Sequence, residues 1–453
     1  MSLEERKSRR GGPPIRYMLV VWLMVMGGIA FMDRTNISIA GIELGREYHI
    51  DNTHLGWVFS AFLIGYASFQ VPGGALARRF GARKVLTWGV IWWGVFTALT
   101  AAAPAGTPAA LLMLILIRVA LGAGGAVMFP AANQFEERWI PMAERGRSNG
   151  IIFGGVGLGS AVAPPILTAI ILRYGWHVSF WFCAVLGVLA GLVWYWAARN
   201  TPEEHSWVSA AELVHIARGR GDAKPASVAA VAKPKKRTPW GRILTSRNIV
   251  AITGSYFSYG YVSWIFFSWF YIYLAQVRGL SLKTSAWYSM LPFLAMSLGC
   301  LLGGAASDWL ATHVSERAGR SYLPCFALVL TGVLLALGAT AHSAVMASLV
   351  LAGGAGALYV SQSCYWSVTA DFAGEFTGPA SGAMNMGCQI GGAITASVTP
   401  LIAAHFGWIS SFLTAAALAV LGGLAWLLVN PDARLEPSGD RVHEQLPLAE
   451  PGD

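Results

Sequence analysis

The chain has 453 residues, of which 55% are hydrophobic and 12% charged, with a net charge of +9 and a mean hydropathy of +0.53. Soluble proteins carry about 25% charged residues, so a soluble enzyme is excluded. A sequence pI of about 9.4 would suit a nucleic-acid binder, but here the basic excess has a topological explanation, given below.

The N-terminus opens on Arg6-Lys7-Ser8-Arg9-Arg10, followed by an apolar stretch. That stretch is too long for a signal-peptide core and lacks a small-residue cleavage site, so it reads as a first, uncleaved spanning helix. A span needs roughly 20 apolar residues. Windows punctuated by Gly, Pro and charge predict twelve of them. The first six cover 17–40, 55–76, 84–103, 109–133, 149–171 and 177–198. The second six cover 249–274, 285–306, 322–341, 345–370, 380–403 and 409–430. The predicted fold class is an all-α integral membrane protein of two pseudo-symmetric six-helix bundles. Its expected divisions are an N-terminal tail (1–16), a first bundle (17–198), a basic linker (199–247), a second bundle (248–430) and a C-terminal tail (431–453). The linker holds Lys233-Pro234-Lys235-Lys236-Arg237 and reads as solvated, with a short surface helix.

Placing both termini and the linker in the cytoplasm puts 26 of the 32 Lys and Arg on that side. The opposite loops hold only Arg46, Arg173, Arg278 and Lys283. The positive-inside rule therefore predicts a multi-pass protein of the cytoplasmic (inner) membrane with both termini inside. The net charge reflects topology, and no nucleic-acid partner is expected. A weak repeat supports the division into halves: Gly73-Gly74 followed by Arg78-Arg79-Phe80-Gly81 closes the second span, and Gly303-Gly304 followed by Ser307-Asp308 closes the eighth. Repeated halves around a central site are a common transporter architecture. The five cysteines all lie in apolar segments at no metal-ligand spacing, so they read as small hydrophobes. No metal, cofactor or enzymatic motif is expected, and nothing requires more than a monomer.

Ionisable groups inside spans are costly and usually functional. Those predicted within spans are Asp33 and Arg34, two-thirds along the first, and Arg118, nine residues into the fourth. At 1.5 Å per residue Arg118 lies roughly 14 Å below the outer surface, so the three share a similar depth. A structural ion pair or snorkelling is one reading of Asp33 and Arg34. The other is a basic cavity: two arginines against one aspartate suit an anion, and guanidinium forks match carboxylates bidentately. Side chains able to hydrogen-bond a hydroxylated ligand include Asn36, Tyr66, Gln70, Asn133, Gln134, Asn385 and Gln389. Tyr66 and Gln70 share a helix face, as do Asn385 and Gln389. In the aromatic seventh span, Tyr256 and Tyr259 are further candidates, as is Trp366 in the tenth.

These motifs resemble the major facilitator superfamily and, within it, the anion:cation symporter family. The resemblance covers about residues 17–430. It rests on Asp33-Arg34-x-Asn36-Ile37, Gly65-Tyr66-x3-Gln70-Val71-Pro72-Gly73-Gly74, Arg118-x3-Gly122 with Phe129-Pro130, Ser363-Cys364-Tyr365-Trp366 and Ser381-Gly382-x2-Asn385-Met386-Gly387. It implies two bundles that rock around a central site. It also implies that Arg34 and Arg118 bind a substrate carboxylate while Tyr66 and Asn385 line the cavity. Two departures stand out. Relatives usually carry a glutamate linked to proton coupling where this chain has Gly125, which leaves Asp33 as the expected coupling acid. In the loop after span 2, Arg78 occupies an acidic position of the superfamily motif, while Asp308 keeps it in the second half. Gly74, Arg78, Arg79, Gly81 and Asp308 are the expected gating residues. The expected function is import of a small organic anion, a hydroxylated sugar acid, together with protons. An uncoupled facilitator or anion exchanger is the alternative, and a non-transporting membrane sensor a remote one.

Overall fold

The computed structural model describes residues 14–141, 144–219 and 240–435. The basic runs at 6–10 and 233–237 lie outside the described residues. Among the described residues all regular structure is helical. The first half contains α1 (Ile15–Tyr48), α2 (Asn52–Phe80), α3 (Ala82–Ala102), α4 (Ala110–Trp139), α5 (Arg145–Tyr174) and α6 (Trp176–Ala197). Two short linker helices follow, Ala210–Gly219 and Trp240–Thr245. The second half starts with α7, which runs through Arg247–Ser268 and Phe270–Ile272 into a π-helical turn at Tyr273–Val277. Then come α8 (Leu282–His313), α9 (Ala318–Thr340), α10 (Ala344–Ala373), α11 (377–406) and α12 (408–428).

Among the described residues nine segments are long and apolar enough to cross a membrane. One of them spans 52 residues and is two helices: at Gly407 φ is 83° and ψ 160°, a conformation glycine adopts at little cost. Ser411 Oγ donates to the Thr399 carbonyl across that break. Helix α2 bends by 50° around Pro72, where the proline removes a backbone donor. Serines and tyrosines lower the hydropathy of α7, which completes the twelve.

Packing follows one rule twice. In the first half α1 lies on α5, α2 on α4 and α3 on α6; in the second, α7 lies on α11, α8 on α10 and α9 on α12. The bundles meet through α2 against α11 and α5 against α8, contacts that the same pseudo-twofold relation exchanges. The α2–α4 crossing is very close. A Cβ on Gly65 would strike the Val119 carbonyl, and one on Gly122 would strike the Phe62 carbonyl. Small residues permit such an approach, and it brings Phe62 and Tyr66 up against the α4 face that carries Arg118.

The bundles close on the side away from the linker. There Ser38 Oγ donates to the Ser268 carbonyl at 2.6 Å, Ser60 Oγ to the Ala393 carbonyl at 2.6 Å, and Asn52 Nδ2 to Gln276 Oε1 at 3.3 Å. Toward the linker the ends of α5 and α11 border open space: nothing lies within 4 Å of a Cβ built on Gly146, Gly150 or Gly154 of α5, or on Gly378 or Gly382 of α11. Asn385 Nδ2 donating to Gln70 Oε1 at 2.8 Å crosses between the bundles beside that space.

A charged cluster ties the linker helix Ala210–Gly219 to the first bundle. The Glu212 carboxylate accepts the Ile15 and Arg16 backbone N–H groups, which are free donors at the start of α1. The Arg16 guanidinium bridges Glu212 at 3.2 Å and Glu144 at 3.0 Å, and Tyr17 and His215 also reach Glu144. Burial pushes the Glu144 carboxyl up, but the hydrogen bonds from Arg16, His215 and Tyr17 outweigh it and hold the group at about 2. A depressed carboxyl stabilises the fold above its ordinary pKa of 4.5, and that contribution is lost as pH falls toward 2. Glu144→Gln should therefore lower stability by about 1–3 kcal/mol at neutral pH and flatten the acid limb of a melting-temperature titration; an unchanged acid limb would remove Glu144 from this role. Gly122→Ala should cost about 1–3 kcal/mol by forcing α2 from α4, read as a lower midpoint of thermal unfolding in detergent.

Candidate functional site

The charged residues of α1 and α4 meet in the first bundle. Asp33 is fully buried: its Oδ2 accepts from Trp93 Nε1 at 2.7 Å and Thr97 Oγ1 at 3.1 Å, both on α3, while Oδ1 is buried without a partner. The Arg34 guanidinium carbon lies 4.3 Å from the Phe31 ring centroid, 4.6 Å from that of Tyr66 and 5.4 Å from that of Phe62. Arg118 shares the Phe62 ring, at 5.1 Å, and its buried Nε and Nη1 have no hydrogen-bond partner. Among the described residues no carboxylate oxygen lies within 4.0 Å of either guanidinium. This rules out the structural ion pair between Asp33 and Arg34. Each cation–π contact contributes about 0.5–2 kcal/mol, well short of what burying an unpaired cation costs. Planar donors, aromatic walls and an apolar surround give the arrangement the chemistry to accept an anion.

The second bundle presents hydroxyls and aromatic faces. Tyr256 and Tyr259 stack at 5.1 Å, and Tyr256 also packs on Tyr365 at 4.4 Å. Gln362 Nε2 donates to Tyr256 Oη at 3.2 Å, and the buried Tyr259 Oη and Gln389 Oε1 have no partner. Trp366 stands partly exposed with its ring edge toward Tyr256. Asn385 is engaged by Gln70, and Asn36 by Ser179 at 2.8 Å. Asn133 is exposed and Gln134 half-buried. They lie fifteen and sixteen residues past Arg118, on the order of 22–24 Å along α4, so they do not join the arginine cluster.

At the linker-side ends, Asp308 pairs with Arg320 at 3.1 Å, and Arg320 also donates to Ser307 and Ser367. In the first half Gly81 takes φ 85°, Arg79 lies over the Phe80 ring, Arg78 is exposed, and Gly74 packs near Pro130. Four buried residues escaped the sequence reading. Phe62 stands four residues before Tyr66, and Trp93 and Thr97 also show that one-face spacing, but apolar helices offer many such pairs. Glu136 is buried, with Oε1 unpartnered, because α4 continues to Trp139 beyond its expected end at 133.

Comparison with known proteins agrees with this architecture. The family model of the Major Facilitator Superfamily matches residues 23–396 and 310–451. The chain is 32% identical to a probable sulfoacetate transporter of Cupriavidus necator, over 95% of this chain and 97% of that one. It is 28% identical to a probable galactarate/D-glucarate transporter of Escherichia coli, over 84% and 85%. Among solved structures, a bacterial homolog of the human lysosomal transporter Spinster superposes with a TM-score of 0.74 at 17% identity, covering 92% of this chain and 97% of that one. A D-xylose-proton symporter superposes with a TM-score of 0.70 at 14% identity, covering 92% and 98%. With the family model spanning most of its length and a relative above 30% identity, the chain belongs to the Major Facilitator Superfamily.

Proposed function

We propose that this protein imports a small organic anion, a hydroxylated sugar acid, together with protons by alternating access. The observation that carries the reading is the pair of buried, carboxylate-free guanidiniums, Arg34 and Arg118, with open donors on Arg118. In this reading they hold the substrate carboxylate, and Tyr66 closes the cavity beside Arg34. Tyr256, Tyr259, Trp366 and Gln389 face the hydroxylated end, and Asn385 joins them once released from Gln70. The relatives named for sulfoacetate, galactarate and D-glucarate support an organic anion as cargo.

Asp33 is the proposed coupling acid, since it is buried next to the arginines with one oxygen unpartnered. A proton there removes the one negative charge that competes with substrate for the arginines. With the basic linker in the cytoplasm, the closed side faces out and the open side faces in. Gln70–Asn385 then acts as an inner clasp, and the Asp308–Arg320 pair steadies the cytoplasmic gate together with the Gly74, Arg78, Arg79 and Gly81 region.

Arg118→Ala should abolish uptake of the transported acid into proteoliposomes. Arg118→Lys should reduce it at least about tenfold, because a point charge cannot replace the planar fork; wild-type uptake by either variant would refute the assignment. Asp33→Asn, a fixed neutral side chain, should keep substrate counterflow and lose accumulation driven by a proton gradient. Wild-type flux indifferent to that gradient would instead favour the uncoupled exchanger.

A further inference from the structure

The buried cluster is one negative charge short. Arg34 and Arg118 face a single carboxylate, Asp33, which is turned to Trp93 and Thr97. Among the described residues, the helices packed around the cluster offer no second acid at that depth. Helices α2, α3, α6 and α7 contain no Asp or Glu. On α1, Glu43 pairs with Arg46, and Glu47 serves Trp176 and His177, all at the far end. On α4, Glu136 lies eighteen residues past Arg118, roughly 27 Å along the helix. With Asp33 ionised the shortfall is one charge, which a monoanion would meet; with Asp33 protonated in the proposed loaded state it is two, and the occupant that removes most of the cost of closing the cavity then brings two negative charges.

Gly125 provides the room. It stands seven residues after Arg118, two turns along the same face of α4. A Cβ built on it would lie 3.7 Å from the Tyr66 ring and 3.9 Å from the Phe62 ring. These are ordinary contacts, with the rings against which both guanidiniums rest. A cavity of about 20 Å³ lies there, with Arg34, Trp93 and Gly125 in its wall. Any larger residue would fill this space, and an acidic one would supply the missing charge.

We infer that the site selects an organic dianion over a monoanion of the same shape, and that Gly125 is a specificity-determining position because it leaves the second positive charge for the substrate to neutralise. Both anionic groups are oxyanions, two carboxylates or a carboxylate and a sulfonate, each able to take a guanidinium fork. The inference rests on the proposed anion site at Arg34 and Arg118 and adds the charge of its ligand.

The test is ligand binding by the full chain in detergent, read by thermal stabilisation and titration. It uses two matched pairs: D-glucarate with D-gluconate, and succinate with succinamate, at a pH above both ionisations of the diacids. The wild type should bind the dianion of at least one pair about tenfold or more tighter than its partner. Gly125→Glu should erase or reverse that preference, while Gly125→Gln, equal in size but uncharged, should keep it. Equal binding within both pairs by the wild type would overturn the inference and leave the anion site standing, and this arm decides even if Gly125→Glu does not fold. Loss of preference in Gly125→Gln as well would show that space rather than charge is read, and would also overturn it. If no anion bound while a broader panel of sugar acids also failed, the proposed function itself would fall, and this inference with it.

Discussion

Two guanidiniums are buried in the first bundle beside a single acid, Asp33, with no carboxylate oxygen within 4.0 Å among the described residues, and much of the surrounding structure follows from how that is tolerated. Removing an ion from water costs several kcal/mol even after relaxation. Here the compensation within the protein is partial: the rings of Phe31, Phe62 and Tyr66 present their faces to Arg34, and Phe62 does so to Arg118. In the proposed cycle this shortfall has a use. Closing both sides around bare cations is unfavourable, and closing around cations matched by an anion is much less so. A carrier built this way occludes more readily when loaded, and a ligand shifts a conformational equilibrium only through such a difference in affinity.

The scaffold holds those charges by backbone contact. Gly65 and Gly122 let α2 and α4 touch backbone to backbone, which seats Phe62 between α1 and α4. Asp33 belongs to the same cluster but is fixed from α3 by Trp93 and Thr97. The negative and positive members thus have separate anchors, as the proposed proton coupling requires. The repeated pairing of α1–α5, α2–α4 and α3–α6 in the second half gives two rigid units. Between them lie α2–α11 and α5–α8; α2 is joined to α11 by serine and asparagine hydrogen bonds, and to the end of α7 by Asn52, all of which break at modest cost.

Much of this was legible in the sequence, because a membrane allows few solutions. Apolar windows punctuated by Gly, Pro and charge located all twelve helices, and the rarity of charge within spans singled out Asp33, Arg34 and Arg118. What hydropathy does not report is where a helix ends once it leaves hydrocarbon. Helix α1 extends to Tyr48 and α4 to Trp139, eight and six residues past their expected limits, so the buried Glu136 lies on a helix beyond the expected end of the fourth span. Side-chain partners were also hidden. Asn385 and Gln70 were both candidates, yet their bond across the bundles depends on how two helices distant in sequence meet. Asn133 and Gln134 looked equivalent to the others by composition, and only their distance along α4 separates them from the arginines.

The central claim is that the cavity recognises negative charge. It is tested most directly by uptake into proteoliposomes of a panel of sugar acids beside matched neutral sugars, with an inward proton gradient imposed or collapsed. The account predicts uptake of at least one acid, dependence of its accumulation on the gradient, and no uptake of its neutral counterpart. Neutral sugars carried as well as the acids would contradict it, because unpaired buried guanidiniums would then have no role in choosing the cargo.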